Sequence, residues 1–278
     1  MPTNTPEPNN LASAPMKTTS LQIEMRHAPW RLSGMAAQPY HVFYWITRGQ
    51  GRIAINGTMR GFGSHSLIFL PSGYVHALNA GANMHGYAAY LHRDTPVPVP
   101  QGPAITKATT IVNQSIVAGY FEQLALENTA SGIGHENAME SFLTLLSVWV
   151  ERHQPDNLWA TRAAERAADR LLARFLLNLE RDFCKVHSTS DYAAGLGVTA
   201  THLTRLCKAR FGCAASDLVQ NRLMHEARHL LRDTDRSINA IAGALNYSSV
   251  GYFGRLFKTH TKRTPRAFRM EGRRFYRP

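Results

Sequence analysis

The chain has 278 residues, with 31 Lys and Arg against 19 Asp and Glu, a formal charge of +12 and a hydrophobic content of 44%. It is long enough for two domains with separate cores, too polar to be embedded in a membrane and too apolar to be disordered throughout. The charge is unevenly placed: Ala160 to Pro278 holds 22 basic and 10 acidic residues, while Met1 to Trp159 holds nine of each. A polyanionic partner is therefore expected of the C-terminal part, and a task that needs no electric field of the N-terminal part.

Residues 1–22, rich in Pro, Asn and Thr, read as a disordered arm and show no apolar core of a signal peptide. Strands are expected over 23–93. Tyr40 to Thr47 is β-branched and aromatic, Gly49-Gln50-Gly51 follows as a turn, and Arg52 to Asn56 alternates in polarity. Ser66 to Leu70 runs into the turn Pro71-Ser72-Gly73, and Met84 to His92 reads as one more strand. Short strands punctuated by glycine indicate a small antiparallel barrel or sandwich.

Residues 94–102 are Pro-rich and read as a crossover loop. A helical period then begins. Ile116, Tyr120, Leu124 and Leu126 lie on one spacing, Met139, Phe142, Leu145, Leu146 and Val150 on another, with Gly132-Ile133-Gly134 between them. The second stripe suits a dimer face, or a face packed on the chain's own barrel; the dimer is the slightly favoured reading. The longest strongly apolar helical stretch, Phe142 to Val150, is far too short to span a bilayer. The Asn/Pro/Asp stretch near Pro155 suits a domain boundary, which assigns 94–156 to the loop and dimerisation helices. Cys184, Cys207 and Cys213 fall in no paired spacing, so neither a disulfide framework nor a four-thiolate zinc site is expected, and a cytoplasmic location fits.

From 157 to 278 the chain reads as helical, and two helix-turn-helix patterns stand out at about 190–209 and 237–258. In the first, Ala193 lets two helices approach, Gly197 supplies a tight turn, Val198 plugs the space between the helices and Thr199 caps the next helix. Leu203 and Leu206 face inward, leaving Thr201, Thr204, Arg205 and Lys208 outward. In the second, Ser237 caps a helix, Ala242 repeats Ala193, Asn246 takes the turn, Tyr247 is the plug, and Ser248 or Ser249 caps the last helix. Its buried face is Phe253, Leu256 and Phe257. Arg205 matches Arg255, and Lys208 matches Lys258. A connecting helix from about Ser216 to Leu231 joins the units, as reading heads entering adjacent major grooves about 34 Å apart would require.

Arginine bidentate to a guanine edge is the commonest specific contact, so Arg205 leads the base-reading set, with Thr201, Thr204, Val250 and Arg255. The phosphate set is Thr199, His202, Lys208, Ser249, Lys258, Lys262, Arg263 and Arg266. Gly251 and Gly254 each lower helix propensity by roughly 1 kcal/mol and carry no donors, so the second unit is expected to read fewer bases.

These residues carry a family resemblance. Leu203-Thr204-Arg205-Leu206, Arg210-Phe211-Gly212, Arg222-Leu223 with Ala227, Ser237-Ile238 with Ile241-Ala242, Tyr252 to Lys258, and Thr264-Pro265 with Phe268-Arg269 resemble the DNA-binding domain of AraC/XylS-type bacterial transcription regulators. The resemblance implies a seven-helix module. Cys207, Asn246 and Arg263 depart from the family's usual pattern, Cys207 as a small core residue. Farther upstream, Tyr44 to Gly51, Ile55-Asn56-Gly57 and Leu67 to His76 resemble the cupin-type effector domain of sugar-responsive members. That likeness implies a barrel that binds a small molecule, followed by helices that dimerise the chain.

The resulting expectation is an α+β multidomain chain: an N-terminal cupin-like β-barrel with dimerisation helices at 23–156, and a C-terminal all-α double helix-turn-helix domain. Its expected partners are double-stranded DNA, a sugar-like or aromatic effector, a second copy of the chain and RNA polymerase. The effector pocket is expected at His41, Tyr44, Trp45, Tyr74 and His76. No cofactor or metal is expected: His76 fits the second cupin metal motif, but Arg48 to Gly61 holds neither His nor Glu to complete the first. No catalytic residue is assigned. The rival readings are an architectural DNA binder without an effector, and a cupin metalloenzyme or an alkyltransferase fused to a DNA-binding module.

Overall fold

A computed structural model describes residues 16–38, 40–81, 83–129, 132–154 and 167–275. The expected arm over 1–15 and the boundary stretch at 155–166 lie outside them. The chain divides into two compact units between Leu176 and Leu177, inside helix α5 (Ala167–Asp182).

The first unit holds two antiparallel sheets. One has the order β1 (Met16–Ser20), β8 (His85–His92), β3 (Tyr40–Arg48), β6 (Ser66–Leu70), β9 (Ala104–Lys107); the other β2 (Ala36–Ala37), β7 (Val75–Ala80), β4 (Gly51–Ile55), β5 (Thr58–Phe62). Period-two alternation sorts their side chains. Val42, Tyr44 and Ile46 of β3 enter a core shared with Ile53, Ile55, Phe62 and Leu78 of the other sheet. Phe43 and Trp45 enter a second core, beneath helices α3 (Ile111–Thr129) and α4 (His135–His153). Gly86 faces Ile46 across the β3–β8 ladder, where a Cβ would sit 2.0 Å from the carbonyl oxygen of Trp45. Only glycine fits there.

Several expectations need correction. Residues 16–22 are not part of a free arm. Met16 to Ser20 form an edge strand paired with β8; Met16 and Thr18 are buried, and the Thr18 N–H donates to Asn128 Oδ1 at 2.9 Å. Nor do strands begin at Ile23. Ser20 caps helix α1 (Leu21–His27) by accepting from the Ile23 N–H, and Pro29 opens helix α2 (Pro29–Ser33) at a position where its missing N–H costs nothing.

The α4 stripe is not a free face. Met139, Leu146 and Val150 are buried in the core shared with the five-stranded sheet, together with Leu143 and Trp149. In α3 the buried residues are Val117, Phe121 and Leu124, while Ile116 is 38% and Leu126 61% exposed. That helix is apolar on both faces, and only one of them is covered by its own unit.

The second unit contains the rest of α5, then α6 (Thr189–Gly195), α7 (Ala200–Phe211), α8 (Ala215–Asp233), α9 (Ile238–Ala244), α10 (Val250–Thr261) and α11 (Pro265–Phe275). The core of α8 is Leu218, Val219, Leu223, Met224, Ala227 and Leu231. Arg222, 5% exposed, donates from Nε and Nη2 to Glu180 of α5 at 2.8 and 2.7 Å, and from Nη1 to Glu226 at 3.0 Å. Its guanidinium carbon lies 3.7 Å from the centre of the Phe183 ring. Burial alone would lower its pKa, but the two carboxylates more than offset that and keep it charged. Arg269 of α11 donates to the carbonyls of Leu231 and Arg236, tying the last helix to the end of α8.

Candidate nucleic-acid interface

The two helix-turn-helix units are built by the same hydrogen bonds. After α6 the Val198 N–H donates to the Ala193 carbonyl at 3.0 Å; after α9 the Tyr247 N–H donates to the Ala242 carbonyl at 2.9 Å. Such a bond needs a left-handed residue just before it. Gly197 supplies it at φ 72° and Asn246 at φ 57°. Ala193 and Ala242 are each 1% exposed, so no larger side chain fits where the helices cross. Tyr247 packs against His187 and Phe253 and accepts a hydrogen bond from Gln220 of α8.

Two capped helices follow. Thr199 Oγ1 accepts from the His202 N–H, and Ser249 Oγ from the Tyr252 N–H, which makes Ser249 rather than Ser248 the cap. In α7 the buried residues are Leu203 and Cys207; in α10 they are Phe253 and Phe257, each pair displaced by fifty positions. The thiol of Cys207 is pushed up to about 12 by burial, next to Cys213, as suits a core residue rather than a nucleophile.

The base-reading candidates Thr201, Arg205, Val250 and Arg255 are exposed, and Thr204 is half-buried. Of the phosphate candidates, Thr199, Lys208, Ser249, Lys258, Lys262, Arg263 and Arg266 are exposed and His202 is half-buried. His202 Nδ1 accepts from Arg205 Nη2 at 3.2 Å, which steadies the arginine. Lys262 is the left-handed C-cap of α10 at φ 60°. Arg263 forms an ion pair with Glu271, so a phosphate would have to displace that carboxylate. Neither α7 nor α10 contains an acidic residue.

Sequence reasoning named Tyr252 only within the signature and gave it no contact role. It is 48% exposed, packs on Tyr247 and stands fifty residues after His202, an offset that could have found it. Arg222 and Arg269 were legible only as signature residues; the fold gives them their roles inside the module.

The five expected pocket residues do not converge. Tyr44, Tyr74 and His76 belong to the space between the sheets, where His76 is 4% exposed, lies edge-on to Tyr44 and has Nδ1 3.0 Å from the Tyr74 carbonyl oxygen. Trp45 faces the helices, and His41 stacks on Phe69 of that same core while accepting from the Ser72 N–H. Odd and even positions of one strand cannot line one pocket. Beside Tyr44, Tyr90 donates to the buried Glu24 at 2.7 Å. Burial holds the Glu24 carboxyl above the usual range, although Tyr90, Arg31 and Lys17 pull it down. Among the described residues no three His, Cys, Asp or Glu side chains are grouped to hold a metal ion, and no helix is long and apolar enough to cross a membrane.

Two capped helices with matched outward cations, each entered through the same turn, define a double helix-turn-helix protein. Residues 192–271 match the family model described as a helix-turn-helix domain. The Bacillus subtilis protein named Uncharacterized HTH-type transcriptional regulator YfiF is 32% identical over 99 residues, 36% of this chain and 31% of that one. The Proteus vulgaris protein named Probable transcription factor PqrA is 38% identical over 76 residues, 27% of this chain and 62% of that one. The chain thus spans less than two thirds of either curated relative. A solved transcriptional regulator of Chromobacterium violaceum, described as an AraC-type DNA-binding domain-containing protein, is 30% identical over 38% of this chain and 94% of its own, with a TM-score of 0.35. Residues 192–271 thus form a helix-turn-helix domain similar to those of these transcription regulators.

Proposed function

We propose that the chain is a sequence-specific transcription regulator that grips double-stranded DNA with α7 and α10 and responds to a small molecule held by its β unit. The observation that carries this is the pairing of Arg205 with Arg255 and of Lys208 with Lys258, exposed on two capped helices that lack any carboxylate. Arginines on such helices reach base edges, lysines reach phosphates, and the N-terminal N–H groups of each helix favour a phosphate. The effector acts by binding two arrangements of the chain unequally, so the protein works through equilibria rather than catalysis.

The regulator acts as a homodimer. Val112, Ile116, Gly119, Gln123 and Leu126 recur at alternating spacings of four and three along the uncovered side of α3, and Val112, Ile116 and Leu126 are 67%, 38% and 61% exposed. That is the seam of a two-helix coil, with Gly119 permitting close approach. A second copy of the same helix is the self-complementary cover.

Selection of bound duplexes from a random pool tests the function. Paired half-sites are expected, and they should vanish with Arg205→Ala/Arg255→Ala. No enrichment, or the same enrichment with both arginines removed, overturns the proposal.

A further inference from the structure

The balanced charge of the N-terminal part conceals a segregation. From Met25 to Arg93 there is no Asp or Glu, and from Met25 to Phe121 the only one is Asp94. Over that second span stand Arg26, Arg31, Arg48, Arg52, Arg60, Arg93 and Lys107. Asp94 is itself occupied, within 3.4 Å of His92 and 3.8 Å of Arg93. The balancing carboxylates come from α3, α4 and their flanks, and Glu24 is buried against Tyr90. Within the β unit the sheets form a cationic body, and among the described residues helices α3 and α4 carry most of the carboxylates.

This body has an open cleft of about 720 Å³ at one end of the two sheets, where β4, β5 and β7 meet the ends of β6 and β9. None of the five expected pocket residues lines it. Its walls carry Arg52 and Lys107, both exposed, and the amides of Gln50 and Asn79. Its floor carries Phe62 and Ile105. Ser66, 4% exposed, also lines it; its Oγ accepts from the Gly63 N–H, so the hydroxyl keeps its own proton for a ligand oxygen. Gly51, Gly61, Gly63 and Gly81 leave the walls bare of side chains. Among the described residues no carboxylate lines the cleft.

We propose that this cleft binds a small organic anion, an alkyl or aryl carboxylate, whose charged end meets Arg52, Lys107 and Ser66 and whose apolar body lies on Phe62 and Ile105. This rests on the reading that the chain answers to an effector, and it names the effector's class. A cleft lined by one sign of charge concentrates ions of the other sign, and a cleft of a few hundred Å³ with an apolar floor suits a small amphiphilic ligand. Neutral sugars would gain nothing from two cations; a bare inorganic anion would leave the apolar floor wet.

Isothermal titration of the full chain with octanoate, benzoate, 1-octanol, benzyl alcohol and inorganic phosphate tests it. Octanoate or benzoate should bind, the matching alcohol and phosphate should bind at least about tenfold more weakly, and Arg52→Ala/Lys107→Ala should lose about tenfold or more. Ser66→Ala should lose less. Failure of both acids to bind, equal binding of alcohol and acid, equal binding of phosphate, or undiminished binding to the double variant each overturns the proposal. The same variant should keep its DNA site preference; that separates a wrong cleft from a wrong regulator reading.

Discussion

Thr199 and Ser249 hold the same place in two helices fifty residues apart: each hydroxyl accepts the N–H three positions on, at 3.2 and 3.1 Å. Each cap fixes where its helix begins and hence which residues turn outward. Thr199→Ala and Ser249→Ala should each cost about 1 kcal/mol in a urea unfolding experiment. Glycine at either position should cost only a few tenths; an equal loss with glycine would show that the hydroxyl is not what matters.

Arg205 and Lys258 should fail in different ways. Arg205→Ala should lose about 1–3 kcal/mol of binding and relax preference at one base pair. Lys258→Ala should weaken all sequences alike and reduce the slope of log affinity against log salt by about 0.9. Fluorescence anisotropy over a salt series with single-base variants of the selected site separates the two.

Arg222→Met should destabilise the helical unit by about 3 kcal/mol or less. The lower end of the range for a broken buried pair applies, because Glu180 and Glu226 keep 21% and 29% of their side-chain surface and can rehydrate. Denaturation of the Arg222→Met and Glu180→Gln/Glu226→Gln/Arg222→Met chains provides the check. Removing the carboxylates as well should recover part of the loss.

The turn and the helix after it leave room for improvement. Asn246→Ala should cost about 1 kcal/mol, since alanine resists the left-handed backbone, whereas Asn246→Gly should not. A Cβ at Gly254 would meet nothing within 4 Å, so Gly254→Ala should gain about 1 kcal/mol of helix stability. A lower melting temperature for Gly254→Ala would contradict this packing.

Burial raises the pKa of Glu24 in the folded state, and the neutral form is the one the fold prefers. Its contribution is fully present below the ordinary carboxylate range and is lost as pH rises through the raised value. Glu24→Gln should therefore raise the melting temperature at neutral pH and make no difference in acid. A constant difference across pH would mean that Tyr90 binds the charged form as well as the neutral one.

The C-terminal unit was legible because its signals are local. Gly197, Asn246 and the hydroxyl caps act within four residues, and the Leu203/Cys207 and Phe253/Phe257 pairs repeat at one offset. The β unit was legible only where strands are apolar. Met16 to Ser20 carries two threonines and a serine, and it becomes a strand because β8 offers an open edge, which no local rule reveals. The buried face of α3 was not legible, because a helix apolar on both sides gives a period-based reading no preferred face. The split of Tyr44 from Trp45 was readable from alternation alone; the cleft was not, because it is made where two sheets end rather than by any run of residues.

The sheets of the β unit carry no acidic side chain between Met25 and Arg93, and their counter-charge stands on helices α3 and α4, so dissolved salt screens the attraction between the two. The unit's apparent size, solubility and melting temperature will drift with ionic strength. Retention of the full chain on heparin or a cation exchanger will overstate how firmly the C-terminal helices hold nucleic acid.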